Sequence, residues 1–250
     1  MTEALALSRQ GFPEQGARST AVARALLMRV AAGELAPTFR LHRPGRILAF
    51  SKQDAASPGF GDAVRAARAV GFESVVRLAG GRAAVYHERT LALSWAVPDH
   101  RPSARTEARF RELAELLTEA LSDLGVDARI GEIPGEYCPG AWSVNARGAR
   151  KLAGTGQRLI AGAAHRGAVI VVGDSGLVRE ALLPTYQALG LAWDPATAGS
   201  VEDEVGPVTP EQAADAVIAR LAERYDLAEV PLDDATLALA ERLQSEHAVP

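Results

Sequence analysis

The stretch "ARGARKLAGTGQRLIAGAAHRGAVIVV", residues 146–172, lies in the part of the chain with the densest β-strand pattern. Short runs rich in β-favouring residues, with glycines between them, extend over residues 127–173. These runs read "ARIGEI", "AWSVNA", "RKLAGTGQRL" and "RGAVIVVG". Strands this close together in sequence predict a mainly antiparallel or mixed sheet.

Two amphipathic helices are predicted upstream of this stretch. Cap-type Ser19 and Thr20 precede apolar residues at helical spacing, and Gly33 follows them, so we expect a helix that starts at Ser19. Residues 103–125 form the most regular helical pattern in the chain. Its apolar face comprises Phe110, Leu113, Leu116, Leu117, Ala120, Leu121 and Leu124.

The remaining segments suggest an alternation of strands and helices. Residues 37–54 read as two strands joined by a Pro-Gly turn, and residues 74–97 as two strands joined by Gly80-Gly81. The pattern turns helical after Asp174, and a final helix is expected from Asp233 or Asp234 to Gln244. We therefore predict an α/β (α+β) fold, a mainly antiparallel or mixed sheet flanked by helices.

Length and composition set the class of protein. At 250 residues, one domain over 1–250 is the simplest prediction, with a core at about 19–225 and a C-terminal helical extension at about 226–250. A formal charge of −4 disfavours nucleic acid as a partner. A single cysteine, no signal-peptide pattern and no long apolar run predict a cytoplasmic protein without a membrane segment.

Cys138 and Lys151 each allow two interpretations from spacing alone. A lone cysteine is usually a small buried hydrophobe, although a loop between Tyr137 and Pro139 is a poor place to bury one. The alternative is a nucleophile with a nearby cation that stabilises its thiolate. Lys151 is either an exposed strand lysine or such a cation.

The "RLAGGRAAVYH" segment, Arg77 to His87, is a weak binding motif by itself. Paired glycines allow close backbone approach to a ligand and an arginine can pair with an anion, but Gly-Gly is more often a turn. The chain has no Walker loop, no "GxGxxG" and no "GxSxG" elbow. Because His42, His87 and His165 lack metal-ligand spacing, no metal site is predicted.

Together these segments resemble the lipoate/biotin protein ligase superfamily, which includes octanoyltransferases of lipoyl metabolism. The resemblance covers about residues 19–225. Its most specific part is the order of Gly80-Gly81, then "KLAGTGQR" from Lys151, then His165-x-Gly167. It implies the catalytic-domain fold of that superfamily. It also implies that Arg77, Gly80, Gly81 and Lys151 hold the acyl head group, with Gly154, His87, His165 and Gly167 lining or supporting the pocket.

Two branches of the superfamily fit, and the residues before Lys151 favour one. "CPGAWSVNARGARK" is similar to the octanoyltransferase subfamily that has its nucleophilic cysteine in this loop, and Trp142-Ser143 stands where ligases often carry Asn-Asp. The leading hypothesis is an acyltransferase in which Cys138, activated by Lys151, carries an octanoyl or lipoyl group as a thioester, without a cofactor. The alternatives are a ligase that uses ATP and Mg, and a non-catalytic acyl-binding module.

The resemblance also implies partner proteins. Acyl carrier protein would be the acyl donor. Lipoyl domains of 2-oxoacid dehydrogenases, or the glycine cleavage H protein, would be the acceptors.

Overall fold

Eight strands form one mixed sheet that organises residues 3–250, the part of the chain that the computed structural model describes. In order across the sheet they are β11 (Tyr225–Glu229), β1 (Glu3–Ser8), β2 (Thr38–His42), β6 (Thr90–Pro98), β10 (Ala163–Val171), β9 (Arg150–Ile160), β8 (Val144–Ala146) and β7 (Ala128–Ile130). β1 runs parallel to β11 and β2, and the other pairs are antiparallel. The predicted sheet type is confirmed.

A second sheet has three strands, in the order β4 (Glu73–Val76), β3 (Ile47–Phe50) and β5 (Ala84–Tyr86). This arrangement corrects the hairpin predicted at residues 37–54. β2 and β3 are both strands, but β2 pairs with β1 and β6, whereas β3 pairs with β4 and β5. The Pro-Gly segment thus carries the chain from one sheet to the other.

Helices cover both faces of the large sheet. They are α1 (Gly16–Ala31), α2 (Lys52–Ala55), α3 (Phe60–Ala69), α4 (Thr106–Asp123), α5 (Ser175–Ala188), α6 (Val201–Val205), α7 (Pro210–Ala222) and α8 (Asp234–Leu243). The predicted helices at 103–125 and from Asp233 or Asp234 are confirmed as α4 and α8. None of the helices within residues 3–250 combines the length and apolar character that crossing a membrane requires.

The main core lies between the sheet and α4. Leu113, Leu116, Leu117 and Leu121 are fully buried and belong to one cluster with Trp95 of β6. Since burying one leucine side chain stabilises the fold by about 1.5–3 kcal/mol, α4 is a principal anchor of the sheet. The opposite face carries α1, α8 and the small sheet, which leaves space between the two sheets.

The start of α1 differs from the prediction. The helix begins at Gly16, and the amides of Gly16 and Ala17 donate hydrogen bonds of 2.7 and 3.1 Å to the carboxylate of Glu73. Ser19 is therefore not the cap. It lies inside the helix, with its hydroxyl 3.0 Å from His42 Nε2. The capping residue, Glu73, lies more than fifty positions further along the chain, so no local sequence pattern could indicate this cap.

The C-terminal segment is not entirely helical. Residues 225–229 form β11, which pairs with β1 at the edge of the large sheet, before α8 begins at Asp234. β11 is an edge strand whose residues are mostly exposed, so it lacks the apolar run that marks a buried strand in a sequence.

Candidate active site

A cavity of about 110 Å³, here called the inner cavity, lies between the two sheets and beside α1. Its walls are mostly apolar or small side chains from β3, β5, β6 and β10, among them Ile47, Ala49, Ala84, Ala92 and Val169. The small sheet closes one side and the large sheet closes the other. The geometry therefore suits a narrow, largely apolar group that lies across the strands.

The floor of the inner cavity follows the strand register. Gly156 of β9 is opposite Gly167 of β10, Gly167 is opposite Ser94 of β6, and Ser94 is opposite Arg40 of β2. Small residues at three successive positions make a trough across the sheet. A Cβ on Gly167 would lie 2.9 Å from His165 Nε2, so a larger residue there would push into the histidine ring.

A second cavity of about 380 Å³, here called the outer cavity, lies on the other side of the Cys138 loop. Gly80, Gly81 and Trp142 contribute to its walls, and the Trp142 ring stacks on Phe110 with centroids 6.5 Å apart. Cys138 lines both cavities. Its thiol thus lies where the two cavities meet.

The backbone at Cys138 is strained. Its φ is +44°, a left-handed conformation that is uncommon outside glycine. The conformation is held by the Cys138 amide, which donates to Tyr186 Oη at 2.9 Å, while that hydroxyl donates to the Ala83 carbonyl at 3.0 Å. Such strain persists only where surrounding contacts hold it, and it is commonly found at functional positions.

The thiol of Cys138 accepts hydrogen bonds from two N–H groups. The Arg82 amide lies 3.1 Å from Sγ, and Arg77 Nη2 lies 3.5 Å from it. Burial of the half-buried thiol raises its pKa, but the charges of Arg77 and Lys151, together with these hydrogen bonds, outweigh burial. The net effect is a pKa below the ordinary cysteine value, which favours the reactive thiolate.

Gly81 permits this arrangement. Its φ is +103°, and a Cβ there would lie 2.9 Å from Cys138 Sγ and would clash with the Arg77 guanidinium. Glycine is needed both for the backbone conformation and for the approach of the two side chains.

Lys151 does not contact the thiol. Its Nζ donates to Glu136 Oε1 at 3.0 Å and to the carbonyls of Tyr137 and Cys138 at 3.0 and 2.7 Å. All three donors are used, and the side chain is only 1% exposed. Lys151 therefore fixes the cysteine loop through its backbone, and it acts on the thiol through its charge.

Glu136, which sequence reasoning missed, holds the other side of this loop. Its carboxylate also accepts from the Ser143 hydroxyl at 2.6 Å and from the Gly140 amide at 3.1 Å. The residue is two positions before Cys138, in "GEYC", so an acidic partner for Lys151 was visible in the sequence. Only the fold brings the two residues together.

The structure brings most of the other predicted site residues to the two cavities. Arg77, Gly154, His165 and Gly167 line the inner cavity, and Gly80 and Gly81 line the outer one. Burial lowers the pKa of His165 to about 4, and its Nδ1 is 3.3 Å from Ser94 Oγ. At neutral pH His165 is therefore an uncharged wall residue.

His87 lies apart from this group. It is fully buried at the turn before β6, its Nδ1 accepts from the Arg89 amide at 3.2 Å, and it lines neither cavity. Three polar residues that sequence reasoning did not assign to the site do line the inner cavity, at the end formed by β2. They are Ser19, Arg40 and His42.

Comparison with known proteins identifies the family of the chain. Residues 15–222 match the family model for the lipoyl protein ligase A/B catalytic domain. Among curated proteins, the chain is 28% identical over 173 residues to an octanoyl-[GcvH]:protein N-octanoyltransferase of Geobacillus kaustophilus, covering 69% of this chain and 61% of that one. A protein of the same name from Exiguobacterium sp. is 29% identical over 168 residues, covering 63% and 59%. The chain thus spans about three fifths of the length of these curated relatives.

Solved structures share the fold. Lipoate-protein ligase A bound with ATP superposes with a TM-score of 0.75 at 20% identity, covering 98% of this chain and 95% of that one. The bi-partite lipoate protein ligase of Thermoplasma acidophilum gives 0.74 at 20% identity, covering 98% and 93%. Because the family model covers more than half of the chain and the fold agrees with it, this protein belongs to the lipoyl protein ligase A/B catalytic domain family.

Proposed function

We propose that this protein is an acyltransferase of protein lipoylation. It moves an octanoyl or lipoyl group, through a thioester on Cys138, to a lysine of a lipoyl domain. The observation that carries the proposal is the position of Cys138 Sγ where the two cavities meet, next to the Arg77 guanidinium and the Arg82 amide. The inner cavity would hold the acyl chain, and the outer cavity would admit the lysine arm of the donor or acceptor.

The names of the curated relatives support a particular donor. They are octanoyl-[GcvH]:protein N-octanoyltransferases, so we propose octanoylated glycine cleavage H protein as the donor and a lipoyl domain of a 2-oxoacid dehydrogenase as the acceptor. Acyl carrier protein, the donor implied by the sequence resemblance, is the second donor to test.

The proposed reaction has two steps. The Cys138 thiolate attacks the acyl carbonyl, a C–S bond forms, the C–N bond to the donor lysine breaks, and the leaving amine takes a proton from solvent. The acceptor lysine, as a free amine, then attacks the thioester. A new C–N bond forms, the C–S bond breaks to restore the thiolate, and the proton of the attacking amine is released to solvent. Each step passes through a tetrahedral oxyanion, for which N–H groups of the Gly80–Arg82 loop are the candidate donors.

Lys151 and Glu136 would position the Cys138 loop in this reaction. Their ion pair holds the carbonyls of Tyr137 and Cys138, which keeps the strained loop in place between the cavities. The positive charge of Lys151 also stabilises the thiolate before attack. Neither role requires proton transfer by Lys151.

An ATP-dependent ligase is the second candidate, because the fold is shared with a ligase bound with ATP. In that reaction Lys151 would face an acyl-adenylate, with Mg bound to the nucleotide, and Cys138 would be incidental. The buried ion pair to Glu136 weighs against it, since it leaves no N–H donor of Lys151 available to a phosphate.

One experiment separates the candidates. Purified protein is incubated with octanoylated H protein, or with octanoyl-acyl carrier protein, in the absence of ATP, and its intact mass is measured. We expect an octanoyl adduct that is absent in Cys138→Ser and that disappears when a lipoyl domain is added. If no adduct forms, and Cys138→Ser modifies a lipoyl domain only with ATP, the protein is a ligase. Inactivity of both proteins with and without ATP would instead favour an acyl-binding module.

A further inference from the structure

Apart from Cys138, no side chain in the wall of the outer cavity is ionisable. Glycine, alanine and proline are frequent in this wall, and its polar side chains are already hydrogen-bonded within the protein. Ser143, Thr155 and Gln157 donate to protein oxygens at 2.6, 3.1 and 2.8 Å. The outer cavity thus offers mainly apolar surface, and no counter-charge, to a group that enters it.

The two largest side chains of the outer cavity, Phe110 and Trp142, form what we call the aromatic wall. Their rings are parallel to within 4°, with centroids 6.5 Å apart. Phe110 belongs to α4, whereas Trp142 lies in the same loop as Cys138. The Trp142 carbonyl accepts the Thr155 hydroxyl, which fixes the wall to β9. Both rings are only half-buried, so their apolar surface is open to a ligand that reaches the thiol.

The charge at the thiol favours an uncharged ligand once Cys138 is acylated. Arg77 Nη2 lies 3.5 Å from Cys138 Sγ, and within residues 3–250 Arg77 forms no ion pair. An acyl group on Cys138 removes the thiolate charge, which leaves Arg77 as an uncompensated cation. Glu136 does not compensate it, because its carboxylate is 0% exposed and bound to Lys151. An ammonium group that approached the thioester would be desolvated and repelled, whereas a free amine would not.

The other charged groups beside the outer cavity do not reverse this field. Most of them form ion pairs, namely Lys151–Glu136, Arg82–Asp54, Arg111–Glu107 and Arg109–Asp99. Arg158, next to Gln157 in β9, and Arg105, which precedes α4, are exposed and have no ion pair in the described part of the chain. The net charge near the cavity is therefore positive.

A lysine side chain suits such a cavity. Its flexible hydrocarbon stem can cover an aromatic surface, and its amine is the group that attacks a thioester. Free lysine is protonated at neutral pH, with a pKa of about 10.4. Desolvation and a nearby cation both shift the equilibrium toward the free amine. The cavity thus supplies the reactive form of the nucleophile without a general base.

We propose that the outer cavity binds the lysine arm of the donor and acceptor domains in uncharged form, with its methylene groups along the aromatic wall. Phe110 and Trp142 are then the residues that select a lysine arm, and Arg77 keeps the attacking amine unprotonated. The inference rests on the proposed function, because the arm meets an acyl thioester at Cys138. In the transfer step the free amine attacks the thioester carbonyl, a C–N bond forms, the C–S bond breaks to give the thiolate, and the amine proton is released to solvent.

The alternative is that the aromatic wall only completes the core. Trp142 packs in part against the main core cluster, and that contact alone would account for the stacked rings. A purely structural role predicts that changes to the rings affect Cys138 equally for every substrate. Binding of the arm predicts an effect that is confined to substrates with a lysine.

The test separates loading of Cys138 from transfer to lysine. The full chain is loaded with a small octanoyl thioester that has no lysine arm, and transfer to a lipoyl domain is followed by intact mass over a range of acceptor concentrations. In Phe110→Leu and Trp142→Leu we expect unchanged loading and a half-saturating acceptor concentration about tenfold higher, as for lost contact with about two methylene groups. Trp142→Phe, which keeps an aromatic ring, should restore most of the affinity.

Phe60→Leu is the matched control. The Phe60 ring is half-buried at the start of α3, packs on Phe50 with centroids 5.1 Å apart, and lines neither cavity. This variant should load and transfer like the unsubstituted protein. The proposal is overturned if Phe110→Leu and Trp142→Leu transfer as Phe60→Leu does, or if they lose loading as much as transfer.

The charge state of the bound arm is tested by pH. With the loaded protein and saturating lipoyl domain, the transfer rate should rise with pH through a midpoint well below the lysine value of about 10.4, because this rate reports the bound amine. Arg77→Met should move the midpoint upward. A midpoint at the value of free lysine, a midpoint that does not move in Arg77→Met, or a rate that never saturates with the acceptor would overturn the proposal.

Failure of the proposed function gives a different result. If the unsubstituted protein forms no adduct on Cys138, the transfer reaction is wrong and the inference about the lysine arm falls with it. If loading and transfer occur and are the same in all the aromatic variants, transfer stands and only the role of the aromatic wall is wrong.

Discussion

Lys151 Nζ and Glu136 Oε1 are 3.0 Å apart, and their side chains are 1% and 0% exposed. This buried ion pair links β9 to the loop that carries Cys138. Each charge would be costly alone at this depth, and the additional hydrogen bonds from Ser143 and Gly140 to Glu136 complete the network. The pair therefore controls both stability and the shape of the cysteine loop.

Removing Lys151 is expected to destabilise the protein strongly. Lys151→Met leaves the Glu136 carboxylate buried without its cation, which should lower the free energy of unfolding by about 3–5 kcal/mol. Urea unfolding at pH 7 measures the change. The double variant Lys151→Met/Glu136→Gln removes both charges and should recover part of the loss. If the double variant is less stable by the sum of the two single effects, the side chains are not coupled as their distance implies.

Arg77→Met is expected to shift the reactivity profile of Cys138. Burial raises the pKa of this thiol and Arg77 is the first of the groups that lower it, so removing the guanidinium should move the pKa upward. At a given pH below the thiol pKa, less thiolate is then present, and iodoacetamide alkylation should slow. The alkylation rate measured against pH gives the midpoint of the thiol titration, which is the quantity to compare between variants.

A suitable control for Arg77 is an arginine at the other side of the large sheet. Arg9 follows β1, four strands away from β9, and it is exposed and pairs with Asp215. Arg9→Met should leave the alkylation midpoint unchanged, whereas an unchanged midpoint in Arg77→Met would contradict the role assigned to its charge.

Gly81→Ala should affect both stability and reactivity. The side chain would occupy a positive-φ position and lie 2.9 Å from Cys138 Sγ, so we expect a loss of about 1–2 kcal/mol in the free energy of unfolding, together with slower alkylation. Gly33→Ala is the matched control, because Gly33 has φ +73° but nothing within 4 Å of its Cβ position. The control should lose stability without a change in alkylation rate. Similar alkylation in the two variants would argue against close packing at the thiol.

These predictions depend on contacts that sequence patterns reveal only in part. The strands around Lys151 and His165 were predictable because runs of β-favouring residues follow one another there with glycines among them. The separation of β2 from β3 was not, since a Pro-Gly turn between two apolar runs is compatible with pairing in one sheet or with passage to another.

The sequence likewise indicated some features of the site and not others. Cys138, Arg77 and Lys151 stood out by residue type, but the pairing of Lys151 with Glu136, and not with the thiol, depends on how the loop folds back on β9. Arg40 gave no signal, because nothing in "TFRLH" shows that this arginine would be buried without a carboxylate.

The buried histidines predict a loss of stability in mild acid. Burial lowers the pKa of His165 to about 4, below the ordinary value near 6.5 of the unfolded chain. Between these two values the unfolded state binds the proton and the folded state does not, so stability falls as pH decreases from about 6.5 to about 4. For His165 alone the shift corresponds to about 3 kcal/mol. His165→Gln, which can keep a hydrogen bond to Ser94, should show a shallower pH dependence of the free energy of unfolding than the unsubstituted protein. His100 is exposed, so His100→Gln should leave the dependence as it is. An identical slope in His165→Gln and the unsubstituted protein would mean that His165 is protonated in the folded state in this pH range.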